Sequence, residues 1–355
     1  MHVVVIGAGV VGVTTAWALQ KRGHQVTVIE RQSGAGQETS RGNAGQRSYG
    51  VVYPWASSAM VRKALPWLLE KDGPLKMRLP PSLDTLRFLL ATLPYAYAPG
   101  TFGLNKRTML RLGIQSQRCF KELENELTLD FDGDHAGLLH LASTPATLAE
   151  YRDTAVLLNE MGIEHQLLSP EEVREVEPGM QGNGPLYGAL RYSTDGTGDC
   201  HLFSRALAKA CADQGVEFRY NTSVRHLLAD YRRVHAIELD SADGKQETLA
   251  ADAVVLSAGC WSPELAKPLG MRLPIYPVKG FSLTAPLVDP SRAPVSTVHD
   301  DNFKVVSTRL GDRLRATGFV ELADFDRSIP ESRLATIRKS VASRFPGAAD
   351  LSAAT

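Results

Sequence analysis

The first thirty residues pair two apolar runs with an amphipathic stretch. Residues 2–6 form a continuous apolar, β-branched run, which is typical of a buried parallel strand. Residues 10–22 carry an apolar side and predict a helix, and Gly23 stands where helices commonly end. Residues 25–30 form a second apolar run. Two strands around one helix predict a βαβ unit with a right-handed crossover.

The pattern changes several times along the rest of the chain. Prolines accumulate between residues 51 and 101, so we expect short helices and loops there. Further helices are predicted at residues 106–126, 145–161, 198–215 and 330–345. Further strands are predicted at residues 137–141, 216–220, 223–228, 234–240, 253–257, 276–283, 304–310 and 313–317, with a turn at residues 229–233.

Composition and charge exclude several classes of protein. The 355 residues carry 39 basic and 39 acidic side chains, so net charge gives no reason to expect a nucleic-acid partner. The four cysteines are widely spaced and no histidine cluster accompanies them, so no metal site is predicted. The first strand starts directly after Met1 and no apolar run could span a bilayer. We therefore expect a cytoplasmic protein, at most bound to the inner face of a membrane.

The turn after the first strand carries the clearest candidate chemistry. Residues 7–12 read GxGxxG between a strand and a helix. Gly7 permits the tight turn, Gly9 lets backbone approach phosphate, and Gly12 lets the helix pack against the strand. The helix N-terminus then offers unpaired N–H groups to a pyrophosphate. Glu30, at the end of the second strand, is placed to bond ribose hydroxyls, which predicts a dinucleotide site.

Longer stretches resemble a known family. Residues 3–17, Glu30-Arg31 and the segment ETSRGNAGQ at 38–46 resemble the FAD-binding start of the D-amino-acid oxidase-type flavoproteins. The resemblance continues through TGDCHLF at 197–203, AGCWS at 258–262 and YPVKGFS at 276–282. Within the family, the chain is most similar to bacterial flavin-dependent dehydrogenases of D-amino acids.

The resemblance implies FAD as the cofactor and a set of residues around it. Thr39 to Gly45 would wrap the phosphates and the flavin ring, and the strand near Val224 would offer its backbone to the adenine. The cofactor-binding residues implied by motif and resemblance together are Val5, Ile6, Gly7, Ala8, Gly9, Val10, Val11, Gly12, Glu30, Arg31, Thr39, Ser40, Asn43, Ala44, Gly45, Gln46, Val224, Ala258 and Gly259.

The implied fold is α/β, with two domains. A Rossmann-like FAD-binding domain would be discontinuous, at residues 1–50, 187–262 and 326–355. A second, α+β substrate domain built on an antiparallel sheet would cover residues 51–186 and 263–325.

The resemblance also implies a reaction. Family members oxidise the Cα–N bond of a D-amino acid by hydride transfer to the flavin, and the imine hydrolyses to a 2-oxo acid and ammonia. We expect electrons to pass to a quinone or another acceptor that is not oxygen. No Ser/His/Asp arrangement is found, and no catalytic residue is assigned, because the cofactor carries the difficult chemistry.

Candidate substrate residues come from positions near the predicted pocket. The substrate carboxylate requires a bidentate cation, for which Arg is suited. Arg309 lies on one predicted strand, with Arg313 and Arg315 on the next. Lys279 and Tyr276 stand in the YPVKGFS segment, and Tyr53 is a further candidate.

Other functions remain open at this stage. A glycine or sarcosine-type amine oxidase would hand electrons to oxygen and produce peroxide. A non-catalytic flavin-binding subunit would be completed by a partner chain. An NAD-dependent dehydrogenase is less favoured, because it leaves the stretch at 39–45 without a purpose.

Two further expectations concern the surface and the C-terminal end. An apolar stripe near Arg87 could lie on a bilayer or pack on the core; it comprises Leu83, Leu86, Leu89, Leu90 and Leu93, with Tyr95 and Tyr97 following. The family continues past the point matching Thr355 with a Gly-x-Arg-Pro stretch that supplies a carboxylate-binding Arg, and this sequence has none. We therefore expect an unpaired sheet edge, low stability and weakened catalysis.

Overall fold

The computed structural model describes residues 1–70, 73–231 and 233–355. Its helices are α1 (Val10–Gln20), α2 (Ser58–Leu69), α3 (Leu83–Tyr97), α4 (Thr101–Glu126), α5 (Pro145–Glu160), α6 (Pro170–Val176), α7 (Cys200–Asp213), α8 (Ser262–Ala266) and α9 (Glu331–Arg344). Its strands are β1 (His2–Ile6), β2 (Gln25–Ile29), β3 (Gln46–Arg47), β4 (Leu75–Met77), β5 (Leu138–Ala142), β6 (Gln166–Leu168), β7 (Gly188–Tyr192), β8 (Gly196–Thr197), β9 (Glu217–Arg219), β10 (Thr222–Ala229), β11 (Val234–Ser241), β12 (Gln246–Ala250), β13 (Ala253–Leu256), β14 (Lys279–Pro286), β15 (Thr297–Asp300), β16 (Val305–Leu310) and β17 (Arg313–Leu322).

The chain forms two compact units. Unit 1 contains residues 1–42, 129–131 and 199–276. Its parallel sheet has the strand order β13-β1-β2-β9, and β10, β11 and β12 form an antiparallel meander. Helices α1 and α7 pack together. Apolar side chains from β1 and β11, such as Val4 and Ile237, share one buried core.

Unit 2 contains residues 43–128, 132–198 and 277–355. Its main sheet has the order β14-β17-β16-β15-β5-β7-β6, with β4 beside β17. Most pairs are antiparallel, as predicted, but β15 pairs with β5 and β17 pairs with β4 in parallel. Helix α9 buries Ile337 and Val341, and the next residue after it, Phe345, belongs to the same core. Leu110 of α4 and Leu158 of α5 belong to a second buried cluster.

The two units divide the chain differently from the predicted domains. Residues 43–50, 187–198 and 326–355 belong to unit 2, and residues 129–131 and 263–276 to unit 1. Residues 187–198 join unit 2 because β7 pairs with β5 in its main sheet, and residues 43–50 follow because β3 pairs with β8. Residues 326–355 join it because α9 packs on β14 and β17.

Several predicted elements have different bounds. Pro66 and Pro94 lie inside α2 and α3, so the proline-rich segment holds longer helices than predicted. The strand predicted at 276–283 begins at Lys279, and its neighbour β17 extends to Leu322. The predicted turn at 229–233 includes Arg232, which lies outside the described residues.

Candidate cofactor site

A cavity of about 440 Å³ opens in unit 1 at the carboxyl ends of β1, β2 and β13. Strand β1 lies between β13 and β2, so the chain leaves it toward β2 on one side and returns as β13 on the other. Ligands of open parallel sheets bind at such a reversal of strand order.

Two of the three motif glycines are required by the protein's own atoms. Gly7 has φ +100°, and a Cβ there would lie 2.6 Å from the carbonyl oxygen of Ser257. A Cβ on Gly12 would overlap the carbonyl oxygen of Gly7, because α1 packs directly on the end of β1. Both residues therefore build the turn itself.

Gly9 has a different reason to be glycine. Its φ of −67° suits any residue, and an added Cβ would meet only the Ser40 hydroxyl oxygen, at 3.5 Å. Gly9 lines the cavity. The space that a Cβ would fill is therefore cavity, and a ligand that approaches the backbone explains the absence of a side chain. The loop thus fits the pyrophosphate of a dinucleotide.

Two side chains organise the polar groups of this loop. The Glu30 carboxylate accepts the Ala8 N–H at 2.7 Å and the Gln32 N–H at 2.8 Å. The Ser40 hydroxyl accepts the Val10 N–H at 3.0 Å, at the first residue of α1. Each Glu30 oxygen has a further lone pair, and the residue lines the cavity. Glu30 is therefore oriented in advance to accept hydroxyl donors.

The cavity brings together most of the predicted cofactor residues of unit 1. Those that line it are Ile6, Gly7, Gly9, Val10, Val11, Glu30, Arg31, Thr39, Ser40, Val224, Ala258 and Gly259. The other three, Val5, Ala8 and Gly12, are buried in the protein and are not among the lining residues.

The cavity has further lining residues that the sequence did not single out. They are Ile29, Gln37, Glu38, Thr222, Ser223, Ser257, Cys260, Trp261, Glu264 and Leu265. Cys260 and Trp261 lie in the AGCWS segment directly after β13, so proximity to a strand end was the signal that could have identified them.

The predicted residues Asn43 to Gln46 lie in unit 2, and hydrogen bonds from side chains and backbone hold their main chain in place. The Gly45 N–H donates to Asn43 Oδ1 at 2.9 Å, and the Gly45 carbonyl accepts the Gly198 N–H at 2.9 Å. The Thr308 hydroxyl donates to the Ala44 carbonyl at 2.8 Å. Gln46 pairs with Thr197 in the β3–β8 ladder.

The two candidate tyrosines differ in their surroundings. The Tyr53 and Tyr192 hydroxyl groups lie 2.8 Å apart in the cluster around Leu110. Burial raises the pKa of Tyr53 to about 12, so this hydroxyl stays protonated at neutral pH. Tyr276 belongs to unit 1 and is half-buried.

The candidate cations of unit 2 differ in what they contact. The Lys279 ammonium lies 3.1 Å from Asp326 and 3.3 Å from Glu321. Arg309 is exposed and donates from Nε to the Gly311 carbonyl at 3.0 Å. The Lys279 contacts hold β14 against the end of β17, and the Arg309 contact lies within the β16–β17 turn.

The described residues contain neither a cluster of metal ligands nor a helix that could cross a membrane. No three His, Cys, Asp or Glu side chains there come together as ligands for a metal ion. No described helix is both long and apolar enough to cross a bilayer.

Comparison with known proteins identifies the family. The model of the FAD dependent oxidoreductase family, DAO, matches residues 2–355. This chain belongs to the FAD-dependent oxidoreductase family. The match covers both units, so the family assignment does not depend on the glycine loop alone.

Curated relatives share about two-fifths of their aligned residues with the chain. A D-amino acid dehydrogenase of Xylella fastidiosa is 41% identical over 99% of this chain and 80% of its own length. Proteins of the same name from Cereibacter sphaeroides and Vibrio vulnificus are 43% and 40% identical over the whole chain and 80% and 84% of their own lengths.

Solved structures show the same fold at low identity. Glycine oxidase from Geobacillus kaustophilus superposes with a TM-score of 0.71 at 23% identity, over 99% of this chain and 79% of that one. L-proline dehydrogenase from P. horikoshii gives 0.67 at 18% identity, over 98% and 77%. The predicted α/β architecture, with sheets of mixed orientation, is thus the fold that the chain shares with these two structures.

Proposed function

We propose that the chain binds FAD through the cavity of unit 1 and oxidises D-amino acids to 2-oxo acids and ammonia. The main support for a bound cofactor is that Gly9 lines the cavity, while no protein atom requires a glycine at this position. The names of the curated relatives support the substrate class. Bound FAD would supply the acceptor for the hydride of the substrate.

The residues of the cavity would then divide the work of binding. The N-terminus of α1 and the backbone of Gly9 would face the pyrophosphate, where the helix dipole favours negative charge. Glu30 would accept the ribose hydroxyls, because two backbone N–H groups already fix its carboxylate. The Ser40 hydroxyl would accept the Val10 N–H and donate its own proton to a phosphate oxygen. Asn43 to Gln46 are proposed as further FAD contacts.

The substrate side of the proposal rests on fewer contacts. Tyr53, Tyr276, Lys279 and Arg309 stay candidates for substrate recognition. Lys279 already faces two carboxylates, so a substrate carboxylate would compete with Glu321 and Asp326 for it. Arg309 has only a backbone acceptor among its described partners and would be the easier of the two cations to recruit.

The experiment that tests the function starts with the purified chain and added FAD. We expect tight binding and a bound-flavin absorption spectrum that D-amino acids bleach under anaerobic conditions, while L-amino acids do not. With an artificial quinone acceptor, turnover should proceed without hydrogen peroxide. Peroxide formed at the rate of turnover would favour the amine oxidase alternative. Flavin that binds but is bleached by no amine would favour a non-catalytic subunit.

We also propose that α3 lies on a membrane surface, as electron transfer to a membrane quinone would require. Leu83, Leu86, Leu90 and Leu93 recur on one face of α3 and are 70%, 42%, 66% and 41% exposed. Thr85 and Ala96 are buried on another side of α3, and Leu89 beside them is half-buried, so that side packs on the rest of unit 2. An exposed apolar face on an amphipathic helix is typical of interfacial attachment.

Vesicle flotation tests this attachment. The wild-type chain should float with vesicles of phosphatidylcholine and phosphatidylglycerol, and the double variant Leu86→Ser, Leu90→Ser should not. A matched control, Val156→Ser with Leu167→Ser, removes two apolar side chains that are 60% and 42% exposed elsewhere on unit 2. Equal flotation of all three proteins would contradict a role for α3.

A further inference from the structure

Three side chains that line the cavity of unit 1 form its rim: Glu38, Trp261 and Arg31, which contacts both of the others. The Arg31 guanidinium lies 3.8 Å from the centroid of the Trp261 ring, which is a close cation–π contact. Arg31 Nη2 also lies 2.8 Å from Glu38 Oε1. The Gln32 side-chain amide donates to the same oxygen at 2.7 Å. Arg31 therefore connects the indole ring to the loop that carries Ser40.

The positions of these residues in the fold explain what the contact does. Arg31 follows β2 and Trp261 follows β13, and these strands flank β1 on opposite sides. Adjacent strands lie about 4.8 Å apart, so the contact bridges about 10 Å across the carboxyl end of β1. Trp261 is half-buried and lines the cavity. Its indole is the one large aromatic surface among the lining residues.

The lining of the cavity carries groups of both signs. The α1 end presents backbone N–H groups at Gly9 and Val10 and suits an anion. Around Arg31 and Trp261 the lining carries three carboxylates against the single guanidinium of Arg31: Glu30, which precedes Arg31 in sequence, Glu38, which pairs with Arg31, and Glu264, three residues after Trp261. Three carboxylates around one cation disfavour phosphate there. A flat, uncharged group fits this rim better.

We propose that Trp261 is a positioning residue for the adenosine half of the dinucleotide, and that Arg31 and Glu38 hold its indole in place. The inference rests on the proposed FAD site and extends it to the rim. A purine packs on an aromatic ring without needing a charged partner, and such stacking tolerates the carboxylates nearby. Arg31 contributes by packing against the indole and fixing its orientation. Its charge is paired with Glu38 and is therefore not assigned to the ligand.

Calorimetric titration of the flavin-free chain with ADP and, separately, with FMN tests this assignment. Trp261→Leu should weaken ADP binding by at least about tenfold, the scale of losing one base–aromatic stack. Trp261→Phe keeps an aromatic face and should stay within about threefold of wild type. FMN affinity should not change in either variant. The control is Trp55→Leu, at a tryptophan that is 62% exposed in unit 2.

The bracing role has its own test. Arg31→Met should weaken ADP binding less than Trp261→Leu, and the double variant should lose less than the product of the two single losses, because both act on one surface. Thermal unfolding without ligand shows whether each variant is folded, and Trp261→Phe and Arg31→Met provide the comparison if Trp261→Leu is not.

The outcomes separate this inference from the proposed function. Unchanged ADP affinity in the tryptophan and arginine variants, with normal binding by wild type, would overturn the role of Trp261 alone. Weakened FMN binding with unchanged ADP binding would overturn it too, by placing the flavin at the rim. A wild-type chain that does not bind ADP would overturn the FAD site and this inference together.

Discussion

Polar side chains at the cavity of unit 1 and in the core of unit 2 differ in how much of their hydrogen-bonding capacity the protein itself uses. At the carboxyl ends of the parallel strands in unit 1, Glu30 and Ser40 each bond a backbone N–H and still face a cavity. In the core of unit 2, the Arg344 guanidinium clamps both oxygens of Asp300, at 2.9 and 3.0 Å, and the two side chains are only 2% and 4% exposed.

The difference separates residues that serve the fold from residues that serve a ligand. Asp300 and Arg344 satisfy each other, so removing either leaves a buried charge. The cavity residues of unit 1 have their protein contacts and retain capacity for more. Changes in unit 2 should therefore appear first in stability, and changes at the rim of unit 1 first in ligand affinity.

The largest expected effect is the loss of the buried ion pair. Arg344→Met should lower the free energy of unfolding by about 3–5 kcal/mol, because it strands the Asp300 carboxylate in the core. Urea unfolding followed by circular dichroism measures this loss. Lys63→Met breaks a pair whose side chains are 48% and 59% exposed, and it should cost less than about 1 kcal/mol. Equal losses would show that burial does not set the value of these pairs.

The glycine loop allows both kinds of effect to be compared within six residues. Gly12→Ala should destabilise the chain by about 3 kcal/mol, because its Cβ meets the Gly7 carbonyl. Gly9→Ala should cost at most about 1 kcal/mol, the difference in N-cap preference. It should nevertheless weaken ADP binding by more than about tenfold, as measured by calorimetry. A Gly9→Ala protein with wild-type ADP affinity would remove the main support for the cofactor site.

The smallest expected effect is a dependence of stability on pH. Burial lowers the pKa of His299 to about 4, while its ring stacks on His140 at 4.6 Å. In the unfolded chain this imidazole therefore binds a proton near pH 6.5, whereas in the folded chain it stays neutral until about pH 4. Its contribution to stability is therefore lost as the pH falls through this range. Between pH 6.5 and 5 this residue should account for a loss on the order of 1–2 kcal/mol.

The pH effect is isolated by comparing variants. His299→Gln should flatten the loss of stability between pH 6.5 and 5, and His235→Gln, at an exposed position of β11, should not. Burial raises the pKa of Asp195 to about 6, which gives the opposite slope in part of this range. The difference between the variants and wild type is therefore the relevant measurement, and parallel curves for all three would exclude His299 as the source.

Features that depend on residues close together in sequence could be predicted from the sequence. The positions of β1, α1 and β2 and the roles of Gly7 and Gly12 follow from spacing within thirty residues, and the structure confirms them. The longer motifs predicted the FAD-dependent oxidoreductase family, and the family match confirms it.

Contacts between distant segments could not be predicted in the same way. Trp261 faces Arg31 across 230 positions of sequence, and no spacing rule connects them. Pro94 was expected to break its segment, but it lies inside α3, and the helix ends one turn later at Tyr97. Strand β15 was not predicted, and it lies between its neighbour in sequence, β16, and the remote strand β5, with which it pairs in parallel.

The different constraints on the three motif glycines also bear on descent. In a lineage that kept the fold but no longer used the cofactor, mutation would be tolerated first at Gly9, whose side of the loop faces the cavity. Gly7 and Gly12 would persist for as long as the strand and helix must meet. A relative with both of these glycines and a larger residue at the position of Gly9 would therefore mark a descendant that has given up its dinucleotide while retaining its architecture.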